Sequence, residues 1–223
     1  MLEDIKQMPI KRRTKGEKTK QLILESAISI LAEQGIKGTT HRAVASHADI
    51  QLSLTTYYFK DIHALVQQAF QLNSEHITQV TPLLWQPILS LMAQYSKVAL
   101  RRVGLRIELR DTLTDLFLNF IALNTATYRK QLIVEQQLFN EIQVAPALRD
   151  MAAHHYAAQL EPCQHLCQYF SRSKAVANAQ ILLSLLKQIQ YRQLLSDTAV
   201  IKQQDIRVMI QQTMTLILDI KPS

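Results

Sequence analysis

Residues 51–60, QLSLTTYYFK, combine hydroxyl groups, aromatic rings and one lysine in a single short segment. Threonine and the aromatic residues favour β-strands, yet the periodicity on both sides of the segment is helical. No second strand is predicted nearby, and an isolated strand leaves its backbone groups without hydrogen-bond partners. We therefore predict a short helix in which Ile50, Thr55 and Phe59 point inward. Its outward hydroxyl and methyl groups have the chemistry to contact phosphates, base edges and thymine methyl groups.

A run of positive charge precedes this segment. Residues 11–20 contain six Lys or Arg residues and one Glu, a net charge of +5 (6 − 1), while the whole chain carries +7. Residues 61–223 are only mildly basic, with 15 basic and 12 acidic residues. A cationic arm beside a small helical unit indicates a polyanionic partner, most simply nucleic acid. The alternative is a solvated, disordered tail, which is a common role for an isolated basic run.

The sequence contains two cysteines, Cys163 and Cys167, one helical turn apart, with His165 between them and His154 and His155 upstream. This group suggests a soft-metal or thiol-sensor site. Such metal sites need three or four convergent ligands, however, and His165 falls on another face of the helix. We expect two buried cysteines in a packed helix and no metal. A chain with so few cysteines has no disulfide framework, which suits a reducing cytoplasm.

The elements that must position these residues are helical. Apolar residues at 23, 27, 30 and 31 predict a first helix over 18–34, which ends near Gly35. Thr39 and Thr40 offer capping hydroxyls for a second helix over 41–48. The turn at 48–50 then leads into the predicted helix at 51–59, and Asp61 is placed to cap a further helix. Two short helices joined by a three-residue turn fit a helix-turn-helix.

The rest of the chain also has helical periodicity, and its low Gly and Pro content (four and six residues) and 48% apolar content favour an all-α fold. We expect Pro82 and Pro87 to break the chain before a segment that runs to about residue 103. Further helices are predicted over 105–124, 126–143, 145–171, 174–196 and 203–219. The resulting domains are a flexible basic arm (1–17), a three-helix DNA-binding unit with the start of a connector helix (18–75), and a C-terminal helical bundle (76–223).

Several function classes are not expected. The N-terminal residues lack the apolar core of a secretory signal, and the best apolar run, 113–123, is too short to span a bilayer. We therefore expect a soluble, cytoplasmic protein without a membrane partner. The sequence has no serine-nucleophile motif, Gly-rich phosphate loop or acid–base pair, so we expect neither an enzyme nor a cofactor.

The block from 18 to 70 resembles the DNA-binding domain of the TetR family of bacterial transcriptional regulators. The resemblance rests on ILESAISILAEQGIKGTTHRAVASHADI, with its Ala-x-x-Leu, Gly and Thr-Thr pattern, followed by QLSLTTYYFKDIHAL. The second segment is closest to a variant group that reads Val-Pro-x-Gly-x-Thr-Thr-Tyr-x-Phe. Beyond this block the chain is similar to the family in length and helical character, with a weak likeness over 128–152.

This sequence departs from the family pattern at several positions. The turn is Ala48-Asp49-Ile50 where Ala-Gly-Val is usual, and Asp is among the few residues that tolerate the positive φ of such a turn. Ser53 replaces the glycine of the recognition helix, and Thr56 stands where most members have tyrosine. These differences leave open which side chain contacts which group of the DNA.

The resemblance implies specific DNA contacts. Thr40 is expected to cap the second helix and meet a phosphate, while Thr56, Tyr58 and Lys60 meet the backbone. Base edges are expected to face Gln51, Leu52, Ser53 and Tyr57. The remaining residues assigned to double-stranded DNA are His41 and Arg42 in the second helix and Lys11, Arg12 and Arg13 in the arm.

The resemblance also implies a homodimer, formed through the helices at 145–171 and 174–196, because one module makes too few contacts for specific affinity. The C-terminal bundle of the family usually holds a small effector molecule. The candidate ligand-binding residues here are aromatic or apolar, with one acidic residue: Trp85, Met92, Tyr95, Phe117, Phe120, Ile121, Tyr128, Glu135 and Phe139. Most of these residue types are also ordinary core residues, whereas a carboxylate such as Glu135 on an apolar-rich helix needs a partner.

The sequence thus predicts a dimeric repressor that a small molecule releases from a palindromic operator. Two alternatives remain: a redox or metal sensor on the same scaffold that uses Cys163 and Cys167, and a helical interaction protein without DNA binding.

Overall fold

The computed structural model describes residues 14–141, 146–195 and 202–221, except for the side chains at 83 and 84. These residues form nine α-helices and two 3₁₀ turns, and no strand is found among them. The all-α prediction is confirmed. The chain divides into two compact units, one that ends at Ala69 and one that begins at Phe70, rather than after residue 75 as expected. The two units are described separately.

The first unit contains three helices, α1 (Lys15–Gly38), α2 (His41–His47) and α3 (Leu52–Tyr58), and the start of α4 (Ile62–Ala93). A capping box starts α1: the Thr14 hydroxyl accepts from the Glu17 amide, and the Glu17 carboxylate accepts from the Thr14 amide. The helix therefore includes the last three residues of the expected arm. Gly35, with φ of 70°, interrupts α1 near its end and adopts a conformation that suits glycine.

The core of the first unit is the apolar stripe predicted for α1 packed against α2. Ile23, Ala27 and Leu31 have no exposed surface, and Val44 of α2 is equally buried. Phe59, at 1% exposure, closes this core at the end of α3. Burial of these side chains fixes α2 and α3 on the scaffold of α1, because most of the stability of such short helices comes from tertiary packing.

The turn between α2 and α3 is a Schellman motif built on an aspartate. Asp49 has φ of 52°, its amide donates to the Ser46 carbonyl, and the Ile50 amide donates to the Ala45 carbonyl. The positive φ that the family turn requires is therefore present without glycine. On the far side of α3, the Asp61 carboxylate accepts from the Ala64 amide and caps α4, as predicted.

The prediction that Pro82 and Pro87 break the chain is wrong, because α4 runs through both as far as Ala93. Proline removes one backbone hydrogen bond and kinks a helix without necessarily ending it. After the prolines, Trp85, Ile88 and Met92 are all at most 4% exposed. Burial of these large side chains keeps the helix continuous.

The second unit contains α5 (Val103–Thr127), α6 (Arg129–Glu141), α7 (Arg149–Gln168), α8 (Ala175–Arg192) and α9 (Gln203–Ile217), with 3₁₀ turns at Ala99–Arg101 and Pro146–Leu148. Its core consists of buried side chains from α4, α5, α7, α8 and α9. No helix in the described part of the chain is long and apolar enough to cross a membrane.

Polar side chains join these helices at their edges. The Arg110 guanidinium pairs with Asp111, and Asp111 also accepts from the Gln211 side chain, which links α5 to α9. Arg129 donates to the Leu194 carbonyl at 2.8 Å and so ties the start of α6 to the residues that follow α8.

Candidate functional site

The outward face of α3 is the first candidate site. Tyr57 is 80% exposed and Leu52 is 42% exposed, whereas Thr55 and Phe59 are buried, as the sequence predicted. Gln51, Ser53, Thr56 and Lys60 are also exposed. Large apolar and aromatic side chains are poorly hydrated when they are exposed, and α3 carries no acidic residue. They present a surface that can enter a DNA groove.

Local hydrogen bonds limit what the hydroxyls of α3 can do. The Thr55 hydroxyl donates to the Leu52 carbonyl at 2.8 Å, and the Thr56 hydroxyl donates to the Ser53 carbonyl at 3.1 Å. Since each hydroxyl has one proton, Thr56 can only accept while this bond persists. A phosphate offers only acceptors, so Thr56 is poorly placed for such a contact, whereas the exposed Tyr57 side chain, packed edge-on against the Tyr58 ring at 5.1 Å, remains accessible.

The residues around α3 differ in whether their polar groups are accessible for a contact with DNA. The Thr40 hydroxyl accepts from the Ala43 amide at 3.1 Å and caps α2, so its proton stays available to a phosphate oxygen. Arg42 is exposed. His41 departs from the expectation: both of its ring nitrogens are buried without a hydrogen-bond partner, so the imidazole cannot reach DNA in this conformation. Tyr58 is half-buried, with its hydroxyl close to Gly16 of α1.

The positive charge of the described first unit is small. Residues 14–69 contain six Lys or Arg residues and five Asp or Glu residues, a net charge of +1 (6 − 5). The arm residues Lys11, Arg12 and Arg13 lie outside the described residues. The described part of the first unit is therefore close to neutral overall.

The second candidate site is a buried polar cluster in the second unit, centred on Glu135 of α6. The Glu135 carboxylate, 1% exposed, accepts from His155 at 2.6 Å and from Gln159 at 2.6 Å, both on α7. The Lys187 ammonium of α8 donates to both carboxylate oxygens, at 2.9 and 2.8 Å. Tyr191, one turn further along α8, also hydrogen-bonds Glu135. The predicted need of Glu135 for a partner is met from two other helices.

The ionisation of this cluster follows from its contacts. Burial acts to raise the pKa of the Glu135 carboxyl, but the positive charge of Lys187 and the His155 hydrogen bond outweigh it, and the pKa falls from 4.5 to about 2. Burial and the negative charge of Glu135 raise the pKa of the Tyr191 hydroxyl. Glu135 is therefore ionised and Tyr191 neutral at ordinary pH, which is the pair of states that lets Tyr191 donate.

The structure does not bring the nine predicted ligand-binding residues together. Trp85 and Phe120 line one internal cavity, Ile121 lines a separate hollow beside α9, and Tyr95 lines an outer groove. Met92 and Phe117 are fully buried core residues, while Tyr128 and Phe139 are half-buried. Among the cavities lined by described residues, one brings Trp85 and Phe120 together.

Other residues of this cavity were missed from the sequence. Gln159, Lys187 and Gln190 contribute most of its polar surface, together with Asn124. The sequence does contain one signal for Lys187. This residue follows Leu183 by one helical turn, so the aliphatic part of its side chain belongs to the apolar stripe of α8. A charged residue on such a stripe needs a buried partner, and the same argument identified Glu135.

The two cysteines lie in the packed core of the second unit. Cys163 and Cys167 are both free and have no exposed surface, as expected. Burial and the neighbouring Cys167 raise the pKa of the Cys163 thiol, and burial raises that of Cys167 to about 12. Thiolate is the reactive and metal-binding form, so these thiols are inert in this state. Among the described residues, no group of three His, Cys, Asp or Glu side chains is arranged to hold a metal.

Comparison with solved structures places the fold. The chain matches a TetR-like transcriptional regulator from Rhodococcus sp. RHA1 at 16% identity and a TM-score of 0.61, over 94% of this chain and all (100%) of that chain. It matches a TetR-family member from Streptomyces coelicolor A3 at 22% identity and a TM-score of 0.55, over 87% and 97% of the two chains. The multidrug-binding protein EbrR, complexed with ethidium, matches at 22% identity and a TM-score of 0.58, over 87% and 97%.

No protein-family model matches the sequence, and no curated protein matches it significantly. The structural matches nevertheless extend through both units and nearly the whole of each relative, well beyond the block from 18 to 70 that carries the resemblance. The chain therefore has the two-part, all-helical fold of the TetR family of transcriptional regulators.

Proposed function

We propose that the protein is a transcriptional regulator that binds an operator in double-stranded DNA as a homodimer. In this proposal it acts as a cytoplasmic repressor, and a small molecule bound in the second unit releases it. The observation that carries the proposal is the outward face of α3. A helix of suitable length follows a Schellman turn and exposes Tyr57 and Leu52 where a surface helix would otherwise carry charged residues.

The contacts divide into two kinds. Tyr57, Gln51, Leu52 and Ser53 are assigned to base edges, because all four are exposed at positions where the family resemblance expects such contacts. The Thr40 hydroxyl, Arg42, Lys60 and the arm cations are assigned to phosphates, and these contacts set affinity and salt dependence rather than sequence preference. Asp49 supports this assignment, because the turn reaches the required positive φ without glycine.

The proposed dimer uses α7 and α8. Both helices expose apolar side chains that a monomer would leave in water: Tyr156 on α7 at 38%, Tyr169 at its C-cap at 36%, and Val176 and Ile181 on α8 at 56% and 46%. A two-fold axis across such a surface pairs each patch with its own copy and sets two α3 helices to read two half-sites.

The test is DNA binding by the full-length protein to the region upstream of its own gene, measured by fluorescence anisotropy. Tyr57→Ala is expected to abolish specific binding while the protein remains a folded dimer by sedimentation and circular dichroism. Tyr57→Phe, which removes only the hydroxyl, separates a hydrogen bond from a ring contact. Arg42→Ala should weaken binding to all sequences and lower the salt slope by about one.

Leu22→Ala is the matched control, because Leu22 is a similarly exposed apolar residue (44%) on α1 of the same unit. It should bind like wild type. Wild-type affinity in Tyr57→Ala would refute the contact assignment. Wild-type protein that shows neither sequence preference nor salt dependence would refute the regulator itself and favour a helical interaction protein.

A further inference from the structure

The cavity beside Lys187 has properties that specify a ligand. It lies within the second unit, has a volume of about 30 Å³, and is walled by the rings of Trp85 and Phe120 and by Leu183 and Leu186. The Trp85 ring packs edge-on against Phe117 at 5.5 Å and tilted against Phe120 at 6.5 Å. Aromatic walls of this kind favour a ligand ring over an aliphatic group once there is room for one, since rings pair favourably in edge-on and offset arrangements.

One donor in this cavity has no partner. The Gln190 side chain is 1% exposed and lines the cavity, and its amide nitrogen has no hydrogen-bond partner. A buried N–H left without an acceptor costs about 1–3 kcal/mol, so a native protein that keeps one usually has a partner for it. The Thr81 hydroxyl proton is already donated to the Ile77 carbonyl. Lys187 has three N–H groups, of which two account for its bonds to Glu135. The lining therefore offers donors to an acceptor.

The charge of the cluster selects against ions. Glu135 and Lys187 neutralise each other, and the residues that line the cavity include Lys187 but no carboxylate. A cationic ligand would face the Lys187 ammonium. An anionic ligand would compete with Glu135 for that ammonium and add a second negative charge to a buried site. An uncharged acceptor, such as a ketone or amide carbonyl, incurs neither cost.

The cavity is small, and a larger groove lies beside it. At its present volume it holds about one water molecule, but Thr81 and Trp85 also line an outer groove of about 740 Å³ between α4 and α7. Trp85 is thus the wall between the cavity and the groove. A ring-sized ligand therefore requires the Trp85 side chain to rotate, which would join the two spaces.

From these observations we propose that the second unit binds an uncharged aromatic molecule whose carbonyl oxygen accepts from the Gln190 amide, with its ring in the space that Trp85 closes. This proposal rests on the effector role proposed above and names the class of effector. It differs from the cationic dye ethidium that occupies EbrR.

The test is calorimetric titration of the full-length protein with three probes that share one ring system: naphthyl methyl ketone, naphthoate and naphthylmethylammonium. We expect one ketone bound per chain, at least about tenfold more tightly than either charged probe. Gln190→Leu should weaken binding of the ketone by about tenfold, because the variant loses one buried hydrogen bond. Gln212→Leu, on the exposed side of α9, is the control and should bind like wild type.

Three results would overturn the proposal: a charged probe that binds as tightly as the ketone, equal ketone affinity in Gln190→Leu and wild type, or no binding of the ketone, which would leave a water-filled cavity. Thermal unfolding of Gln190→Leu establishes that the variant is folded. No DNA is present in this titration, so its failure leaves the operator result unaffected. Ketone binding without any operator binding would instead retain the site and refute the regulator.

Discussion

Among the polar interactions of the second unit, we expect loss of the Glu135–Lys187 pair to lower the free energy of unfolding most. In Lys187→Met the carboxylate stays buried without its ammonium partner, and breaking a buried pair on one side costs about 3–5 kcal/mol. Because His155, Gln159 and Tyr191 still donate to Glu135, we expect the lower end, about 3 kcal/mol. Glu135→Gln should cost less, because Lys187 is 19% exposed along its side chain and can reach water.

A double-mutant cycle separates the pair from its surroundings. If Lys187→Met is costly because it strands a charge, Glu135→Gln should remove most of that cost. The double variant should then be about 2 kcal/mol more stable than the sum of the single changes implies. The assay is urea unfolding at about pH 7 and fixed protein concentration, followed by the fluorescence of Trp85, the single tryptophan of the chain.

The control is an exposed pair in the same unit. Arg207 and Asp115 lie 2.7 Å apart with 41% and 58% of their side chains exposed, so Arg207→Met should cost less than about 1 kcal/mol. Equal losses in Lys187→Met and Arg207→Met would refute the reasoning, since burial would then not set the energy of the pair. Simple additivity in the cycle would show that the two charges do not interact.

Two further predictions concern backbone strain and acid. Asp49→Gly should raise the free energy of unfolding by up to about 1 kcal/mol, because φ of 52° strains any residue with a Cβ; urea unfolding checks this, and a loss of stability would contradict the strain. Because the Glu135 pKa lies below its unfolded value, the carboxylate stabilises the fold above about pH 4.5 and loses this contribution as pH falls towards about 2. The stability advantage of wild type over Glu135→Gln should therefore shrink by about 3 kcal/mol across that interval, whereas a constant difference would contradict the lowered pKa.

The sequence determined much of the first unit because its signals are local. Periodicity placed the core residues Ile23, Ala27 and Leu31 on one face of α1, and a hydroxyl or carboxylate stood at each predicted cap. The segment at 51–60 has strand-like composition, yet it forms a helix with Thr55 and Phe59 buried, and the described part of the chain contains no strand that could pair with it. The helical pattern of the neighbouring segments, which can be found in the sequence, therefore outweighed the strand-like composition of this one.

The tertiary structure decided what depends on distant contacts. Proline residues in α4 suggested a break, but the energy gained by burying Trp85, Ile88 and Met92 keeps the helix intact, and no local rule contains that energy. The sequence marked Glu135 as a carboxylate in need of a partner, but Lys187 lies 52 residues away on another helix. Side-chain packing across the whole unit determines which helices contact each other. It therefore also determines which buried charges pair and which buried donor lies beside a cavity without an acceptor.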